Sequence, residues 1–243
     1  MIKNNLFTKN NIQNQYLNKK IIKKLSKNFF KILGEVTEEI NQDRTTLGVL
    51  NNKFKFNFNI KDLNKFKKYK SIAVVGMGGS ILGTEAIYNF LKKKIKKKVY
   101  FFNDLNLQKI ISFKEKENLD KILFLIISKS GDTIETLSNL LTLNIIKNKS
   151  KNIIIITERK NNVLFSLSQK NNLFYIEHKS YIGGRYSVLS EVGMVPAYLM
   201  GVDIFKLRSN VKKLIDNKKK LFLRDSSIKL SNLLIKKKKN NLI

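Results

Sequence analysis

A run of small hydroxyl residues follows an unbroken apolar segment, 122–127, in the middle of this chain. It comprises Ser128 and Ser130, with Lys129 between them, and Thr133 after the turn residue Gly131. Hydroxyl groups can donate hydrogen bonds to phosphate oxygens, and Lys can add positive charge. A strand followed by a helix would aim backbone N–H groups at the same point. The stretch therefore indicates a phosphate site, with a plain helix-capping cluster as the alternative.

A second glycine-rich turn covers residues 76–83, with the sequence Gly-Met-Gly-Gly-Ser-Ile-Leu-Gly. A dinucleotide-binding fingerprint would require Gly in place of Ile81, and a nucleotide P-loop would require Lys in place of Thr84. Both nucleotide interpretations are therefore disfavoured. The backbone of Gly79 and the hydroxyl of Ser80 still suit a phosphate or a sugar oxygen at a helix start.

The third candidate is Arg185, which follows two glycines in the sequence Gly-Gly-Arg-Tyr-Ser-Val. Arg is rare here, since the chain has 48 basic residues and only five of them are Arg. A guanidinium stays protonated and can stabilise an oxyanion that forms during a reaction. The alternative is a structural role in which Arg185 pairs with a carboxylate such as Glu191.

Short apolar runs alternate with helical patterns from residue 71 onwards, which predicts an α/β fold. The sheet should be parallel, five-stranded and covered by helices on both faces. Ligands bind such sheets outside the carboxyl ends of the strands, where all three candidate motifs are expected. We predict strands over 72–75, 99–102, 122–127, 153–156 and 174–176, and intervening helices over 80–91, 107–117, 133–146 and 163–170.

The flanking segments indicate helices without chemistry of their own. Apolar residues at four-residue spacing predict an N-terminal helix over 10–33, with Gly34 as its C-cap. A shorter helix and a turn are expected over 35–50, and an edge strand or extended connector over 51–61. We also predict helices over 189–200, 204–216 and 226–235, the last one capped by Asp225 or Ser226.

Composition excludes several classes of function. The 243 residues include no Cys and one His, so we expect no disulfide framework and no Cys/His metal cluster. The net charge of +30 comes from Lys dispersed along the chain, without the Arg and aromatic stripe of a nucleic-acid site, so no nucleic-acid partner is expected. The start lacks a signal-peptide pattern and no apolar run reaches membrane length, which predicts a cytoplasmic protein without a membrane partner.

The three motifs, in this order, resemble those of the phosphoglucose isomerase family. They are Gly-x-Gly-Gly-Ser-x-Leu-Gly, Ser-Lys-Ser-Gly-x-Thr-x-Glu-Thr and Gly-Gly-Arg-Tyr-Ser-Val. The family is built from sugar-isomerase (SIS) domains with a flavodoxin-like sheet. The resemblance divides the chain into an N-terminal helical segment and connector (1–70), a SIS domain (71–203) and a helical linker towards a second SIS domain (204–243).

The resemblance implies a function and a role for each motif. The family interconverts glucose 6-phosphate and fructose 6-phosphate through an enediol, in glycolysis and gluconeogenesis, without metal or cofactor. The complete protein would be a homodimer. Arg185 would be the catalytic residue of this chain, facing the reacting end of the sugar together with Gly184. The residues that would bind the sugar phosphate are Gly79, Ser80, Ser128, Lys129, Ser130 and Thr133.

The sequence departs from the family by ending early. The family's general-base Glu, ring-opening His and late Lys belong to the second SIS domain and tail, so we expect a fragment that is inactive by itself. His178 is expected to be a surface or supporting residue, and Glu135 to hold the phosphate loop. The alternative is a non-catalytic SIS module that binds a sugar phosphate and regulates a partner, although Arg185 behind two glycines favours the enzyme.

Overall fold

The computed structural model describes residues 17–147, 150–215 and 220–235. These residues form two compact units. One unit holds Glu39–Lys212 and contains the whole sheet, and the other combines the residues up to Glu38 with those from Lys213 onwards. All the candidate site residues lie in the first unit.

The sheet has five parallel strands in the order β2-β1-β3-β4-β5. The predicted α/β fold and all five predicted strands are confirmed to within one residue at each end. The central strand β3 is buried along its whole length, as its unbroken apolar sequence requires for a strand covered on both faces. The bounds are β1 Ser71–Val75, β2 Lys98–Phe102, β3 Ile122–Ile127, β4 Ile153–Thr157 and β5 Phe174–Glu177.

Two apolar clusters cover the two faces of the sheet. Leu123 and Leu125 pack on one face with helices α3 (Leu82–Leu91) and α7 (Glu191–Leu199). Phe124 packs on the other face with three helices, because successive strand residues point to opposite sides. Those helices are α4 Leu107–Lys116, α5 Ile134–Leu143 and α6 Val163–Lys170.

The N-terminal prediction was wrong in its helix boundaries. Helix α1 runs over Lys19–Asn41 and continues through Gly34, the predicted C-cap. A glycine inside a helix costs about 1 kcal/mol relative to Ala, which is too little to stop a helix whose later residues also form one. The predicted second helix is replaced by the end of α1 and a 3-10 helix at Leu47–Leu50. Residues 10–16 of the prediction lie outside the described residues.

The segment after residue 50 forms turns and the short helix α2 (Ile60–Asn64), so the extended connector is the better description and no strand forms over 51–61. Helix α8 covers Ile204–Ile215, as predicted. Helix α9 covers Lys220–Ile235, so Asp225 lies inside this helix and caps nothing. The apolar and basic residues that precede Asp225 are themselves good helix formers. Among the described residues, no helix is long and apolar enough to cross a membrane.

Candidate functional site

The glycine-rich turn and the hydroxyl loop lie side by side at the carboxyl end of the sheet. They follow β1 and β3, which are adjacent strands. The glycine-rich turn contacts the end of β3 so closely that a Cβ built on Gly76 would lie 2.7 Å from the carbonyl oxygen of Ile127. Only glycine fits at this position, since a Cβ would overlap the backbone of the neighbouring strand.

Three hydroxyl groups converge in the loop after β3. The Oγ1 atom of Thr133 lies 2.9 Å from Oγ of Ser128 and 3.2 Å from Oγ of Ser130, and the two serine oxygens are 3.4 Å apart. Thr133 occupies the N-cap position of α5, yet its side chain makes no capping hydrogen bond. The hydroxyls of Ser128 and Ser130 also accept hydrogen bonds from the backbone N–H groups of Gly131 (3.1 Å) and Asp132 (3.3 Å). The hydroxyls therefore support the turn of the loop and converge on one another, and Thr133 does not cap α5.

The turn of this loop depends on Gly131. Its φ of +79° lies in the left-handed region, and a Cβ there would meet Oδ1 of Asn162 at 1.9 Å. That oxygen accepts a hydrogen bond from the N–H of Phe165 (2.8 Å) and so caps α6. The neighbouring Asp132 accepts a second hydrogen bond from the N–H of Val163, also at 2.8 Å.

The loop is thus fastened to the start of α6 by residues that the sequence analysis did not select. Asn162 could have been recognised as a helix N-cap before an apolar run, but its contact with Gly131 depends on the tertiary fold. Glu135, which we expected to hold the loop, is exposed and makes no side-chain hydrogen bond within the described ranges. Asp132 and Asn162 perform that role.

Lys129 extends from the hydroxyl loop to two neighbouring segments. Its ammonium donates a hydrogen bond to the carbonyl oxygen of Ser180 (2.7 Å) and lies 3.4 Å from a carboxylate oxygen of Glu158. Glu158 also pairs with Lys160 at 2.9 Å. Burial raises the pKa of Glu158, but the hydrogen bonds and charges of these two lysines outweigh burial, and the net shift is downwards.

The arginine motif packs directly on the glycine-rich turn. A Cβ on Gly79 would lie 2.2 Å from the carbonyl oxygen of Gly184 and 2.8 Å from the N atom of Arg185. The hydroxyl of Ser187 donates to Gly184 at 2.7 Å and lies 3.3 Å from the carbonyl oxygen of Gly79. Ser80, which we selected from the sequence, is half-buried in the 3-10 helix that also holds Gly79.

The Arg185 side chain is exposed, and no hydrogen bond or ion pair of its guanidinium is found in the part of the chain that the structure describes. The alternative in which Arg185 pairs with Glu191 is therefore wrong. Glu191 is fully buried, and its Oε1 accepts a hydrogen bond from the N–H of Asn57 at 2.8 Å. The ammonium of Lys179 lies 3.9 Å from the same carboxylate oxygen.

A different guanidinium has the structural role. Arg208 is buried and donates to the carbonyl oxygens of Leu189, Val49 and Asn51. Its guanidinium also lies 5.1 Å and 5.0 Å from the ring centres of Phe54 and Phe56. These hydrogen bonds join residues that are up to 159 positions apart in the sequence, so no local sequence signal could have indicated them.

His178 follows β5 and is 2% exposed, so it is a supporting residue and not a surface one. Its Nδ1 lies 3.0 Å from the carbonyl oxygen of Lys179, and its backbone N–H donates to Thr157 at 2.8 Å. Burial lowers its pKa, because a charged imidazole would lose its hydration there.

A parallel sheet in the order β2-β1-β3-β4-β5, with these loops at its carboxyl end, defines a doubly wound α/β domain with a ligand-binding edge. The sequence model for phosphoglucose isomerase matches residues 35–229, which is most of the chain. The chain belongs to the phosphoglucose isomerase family.

Individual relatives agree with this assignment. The glucose-6-phosphate isomerase of Methanocaldococcus jannaschii is 35% identical over 164 residues, which are 63% of this chain and 39% of that protein. The glucose-6-phosphate isomerase of Borreliella afzelii is 37% identical over 149 residues, or 56% of this chain and 28% of that protein. The probable glucose-6-phosphate isomerase of Methanococcus maripaludis is 30% identical over 73% of this chain and 42% of that protein. The chain thus spans less than half the length of these relatives.

Solved structures show the same fold. A hypothetical protein from Thermus thermophilus superposes with a TM-score of 0.66 and 19% identity, covering 87% of this chain and 56% of that one. A glucose-6-phosphate isomerase from Chlamydia trachomatis gives a TM-score of 0.53 at 19% identity, over 66% of this chain and 33% of that one.

Proposed function

We propose that this chain forms the sugar-phosphate-binding part of an enzyme that interconverts glucose 6-phosphate and fructose 6-phosphate. The observation that carries the proposal is the convergence of Ser128, Ser130 and Thr133, whose side-chain oxygens lie within 3.4 Å of one another. The side chain of Thr133 stands at the N-cap position of α5 but makes no capping hydrogen bond. Such a cluster beside a helix N-terminus suits the oxygens of a phosphate. Membership of the phosphoglucose isomerase family supports the choice of a sugar phosphate.

Each loop receives a role in this proposal. The hydroxyl loop binds the phosphate, and its Lys129 adds a positive charge to that side of the site. Gly79 and Ser80 contact the same end of the sugar phosphate. Gly184 and Arg185 face the reacting carbons, where a proton moves between the first two carbon atoms.

Arg185 supplies electrostatic stabilisation in this mechanism. Removing a proton next to a carbonyl group leaves negative charge on the enediolate oxygens, and a fixed positive group lowers the barrier by offsetting that charge. The exposed guanidinium of Arg185 is available for this purpose, in contrast to the buried guanidinium of Arg208. A guanidinium cannot itself be the base, because it stays protonated at physiological pH.

The base must therefore come from another group, and we propose that it belongs to the part of the enzyme outside the present chain. The short span relative to the family members supports this division, since the chain covers 39% of the Methanocaldococcus jannaschii protein. We propose further that the complete enzyme is a cytoplasmic homodimer of glycolysis and gluconeogenesis, as the family resemblance implies.

Calorimetric titration of the chain with fructose 6-phosphate tests the proposal. Replacing Ser128, Ser130 and Thr133 together by Ala removes several charge-assisted hydrogen bonds, each worth roughly 1.5 to 3 kcal/mol, so we expect the binding heat to disappear. Thr142→Ala is the matched control, since its hydroxyl bonds to Ser138 further along the same helix. Unchanged affinity in the triple variant, with unfolding temperatures like those of the control, would place the phosphate elsewhere.

A further inference from the structure

Three of the points at which the segment carrying Arg185 is held to the rest of the domain are hydrogen bonds of residues 178–181. The N–H of His178 donates to Thr157 at 2.8 Å, and the hydroxyl of Thr46 donates to the carbonyl oxygen of Tyr181 at 2.8 Å. The third point is the ammonium of Lys129, which donates to Ser180 at 2.7 Å. Of the three partners, Lys129 is the one that belongs to the hydroxyl loop.

Lys129 is well placed to transmit a displacement of its own loop. Its carbonyl oxygen accepts hydrogen bonds from the N–H of Glu158 (3.2 Å) and the hydroxyl of Thr157 (3.3 Å), which fixes the backbone against the end of β4. Its ammonium is held by the Glu158 carboxylate, which is 13% exposed and therefore poorly screened by water. Lys129 is therefore held at its backbone and at its ammonium, and its side chain links the hydroxyl loop to the segment that carries Arg185.

A bound phosphate need not break this link. An ammonium has three N–H donors, so it can serve Ser180, Glu158 and a phosphate oxygen at the same time. An anion among the hydroxyls would also order the backbone on both sides of Lys129 and attract its charge. Resting on the proposed function, we propose that Lys129 is a positioning residue that couples phosphate binding to the position of the Gly184 and Arg185 segment.

Hydrogen exchange with inorganic phosphate as the probe separates this coupling from direct contact. Inorganic phosphate has no sugar carbons that could touch the Arg185 segment, whereas fructose 6-phosphate would reach it. The useful amides are those of Ile182 and Tyr186, which close turns by donating to Lys179 (3.1 Å) and Gly183 (2.9 Å). In the wild-type chain we expect saturating phosphate to slow their exchange at least about fivefold, the lower end of ordinary couplings between sites.

Lys129→Met should abolish this slowing even when the phosphate concentration is raised, to offset the lost charge, until the amides of Gly131 and Asp132 in the hydroxyl loop are protected. Lys160→Met is the matched control, because Lys160 pairs with the same carboxylate but bonds neither loop segment in the described residues. Thr46→Val is a second control that removes another tie to the Arg185 segment. Both controls should keep the slowing.

The outcomes distinguish the inference from the proposed function. If phosphate fails to protect Gly131 and Asp132 in the wild-type chain, the phosphate site itself is wrong. If it protects them but Ile182 and Tyr186 do not respond, or respond equally in Lys129→Met, the coupling role is overturned. Should Lys129→Met not fold, Glu158→Gln removes the anchor of the ammonium, and an undiminished response in that variant would overturn the role as well.

Discussion

The carbonyl oxygen of Gly184 lies where the side chain of residue 79 would begin, since a Cβ on Gly79 would be 2.2 Å away. Neither loop can move aside easily, because the added Cβ would clash with backbone atoms of Gly184 and Arg185 and not with a flexible side chain. Gly79→Ala should therefore push the arginine segment away from the glycine-rich turn. We expect a loss of roughly 1 to 3 kcal/mol in the free energy of unfolding, typical of overpacking, together with weaker fructose 6-phosphate binding.

Urea unfolding and calorimetry on the same protein samples check this prediction. Gly184→Ala is the matched variant for stability, because a Cβ on Gly184 would have nothing within 4 Å. It should unfold like the wild type. Equal stability of the two alanine variants would show that the contact between the loops can relax.

Gly131 tests how firmly the hydroxyl loop is fastened to α6. Gly131→Ala combines an unfavourable positive φ with a clash against Oδ1 of Asn162 at 1.9 Å. Asn162 can move only by giving up the N-cap of α6, which adds about 1 kcal/mol to the strain. Gly201→Ala is the control, since its φ of +93° carries strain without a clash. Thermal unfolding should show a distinctly larger loss for Gly131→Ala, and equal losses would contradict the fastening.

The sequence was sufficient for the sheet and for the grouping of the loops. Runs such as 122–127 are apolar at every position, as a strand buried on both faces requires, and motifs at the ends of parallel strands must meet at one edge. Contacts of high sequence separation could not be derived in this way. The bond between Asn57 and Glu191 spans 134 residues, and that between Lys129 and Ser180 spans 51.

The wrong predictions have a common cause. The end of α1 and the start of α9 were assigned from single residues, Gly34 and Asp225, that commonly mark helix boundaries. Such residues end or cap a helix only when the flanking residues do not continue it. Arg185 and Glu191 were likewise paired as an alternative because they are close in sequence, whereas burial assigns Glu191 to the contact with Asn57.

Glu191 should make stability fall as pH rises. Burial raises its pKa above the ordinary value of 4.5, against the opposing effects of its hydrogen bonds and of the nearby Lys179 and Arg208. The folded chain therefore holds a proton that the unfolded chain releases, so the stabilising contribution is complete below pH 4.5 and is lost as pH rises through the raised pKa. Tyr181 also faces this group. Burial is the main cause that raises the pKa of its phenol, and the charge of Glu191 raises it further.

Glu191→Gln removes this titration with little change of shape. We expect the stability of the Gln variant relative to the wild type to increase from pH 4.5 up to the raised pKa of Glu191 and to stay constant above it, as measured by urea unfolding at several pH values. Glu135→Gln, which alters an exposed carboxylate, serves as the control for the substitution. A difference that does not depend on pH would show that Glu191 titrates alike in the folded and unfolded chains.

Arg185 can be tested apart from turnover by a ligand that carries the charge of the intermediate. A sugar-acid phosphate, with a carboxylate in place of the reacting carbonyl group, presents two oxygens that a guanidinium can bind with two parallel hydrogen bonds. Arg185→Lys should lower affinity for this ligand by about tenfold to a hundredfold, given roughly 1.5 to 3 kcal/mol for a charge-assisted hydrogen bond. Inorganic phosphate should bind as before, because the hydroxyls of Ser128, Ser130 and Thr133 are unchanged. Arg159→Lys is the matched control, with unchanged affinity for both ligands. If Arg185→Lys binds the sugar-acid phosphate as tightly as the wild type, the guanidinium does not face the reacting end of the sugar.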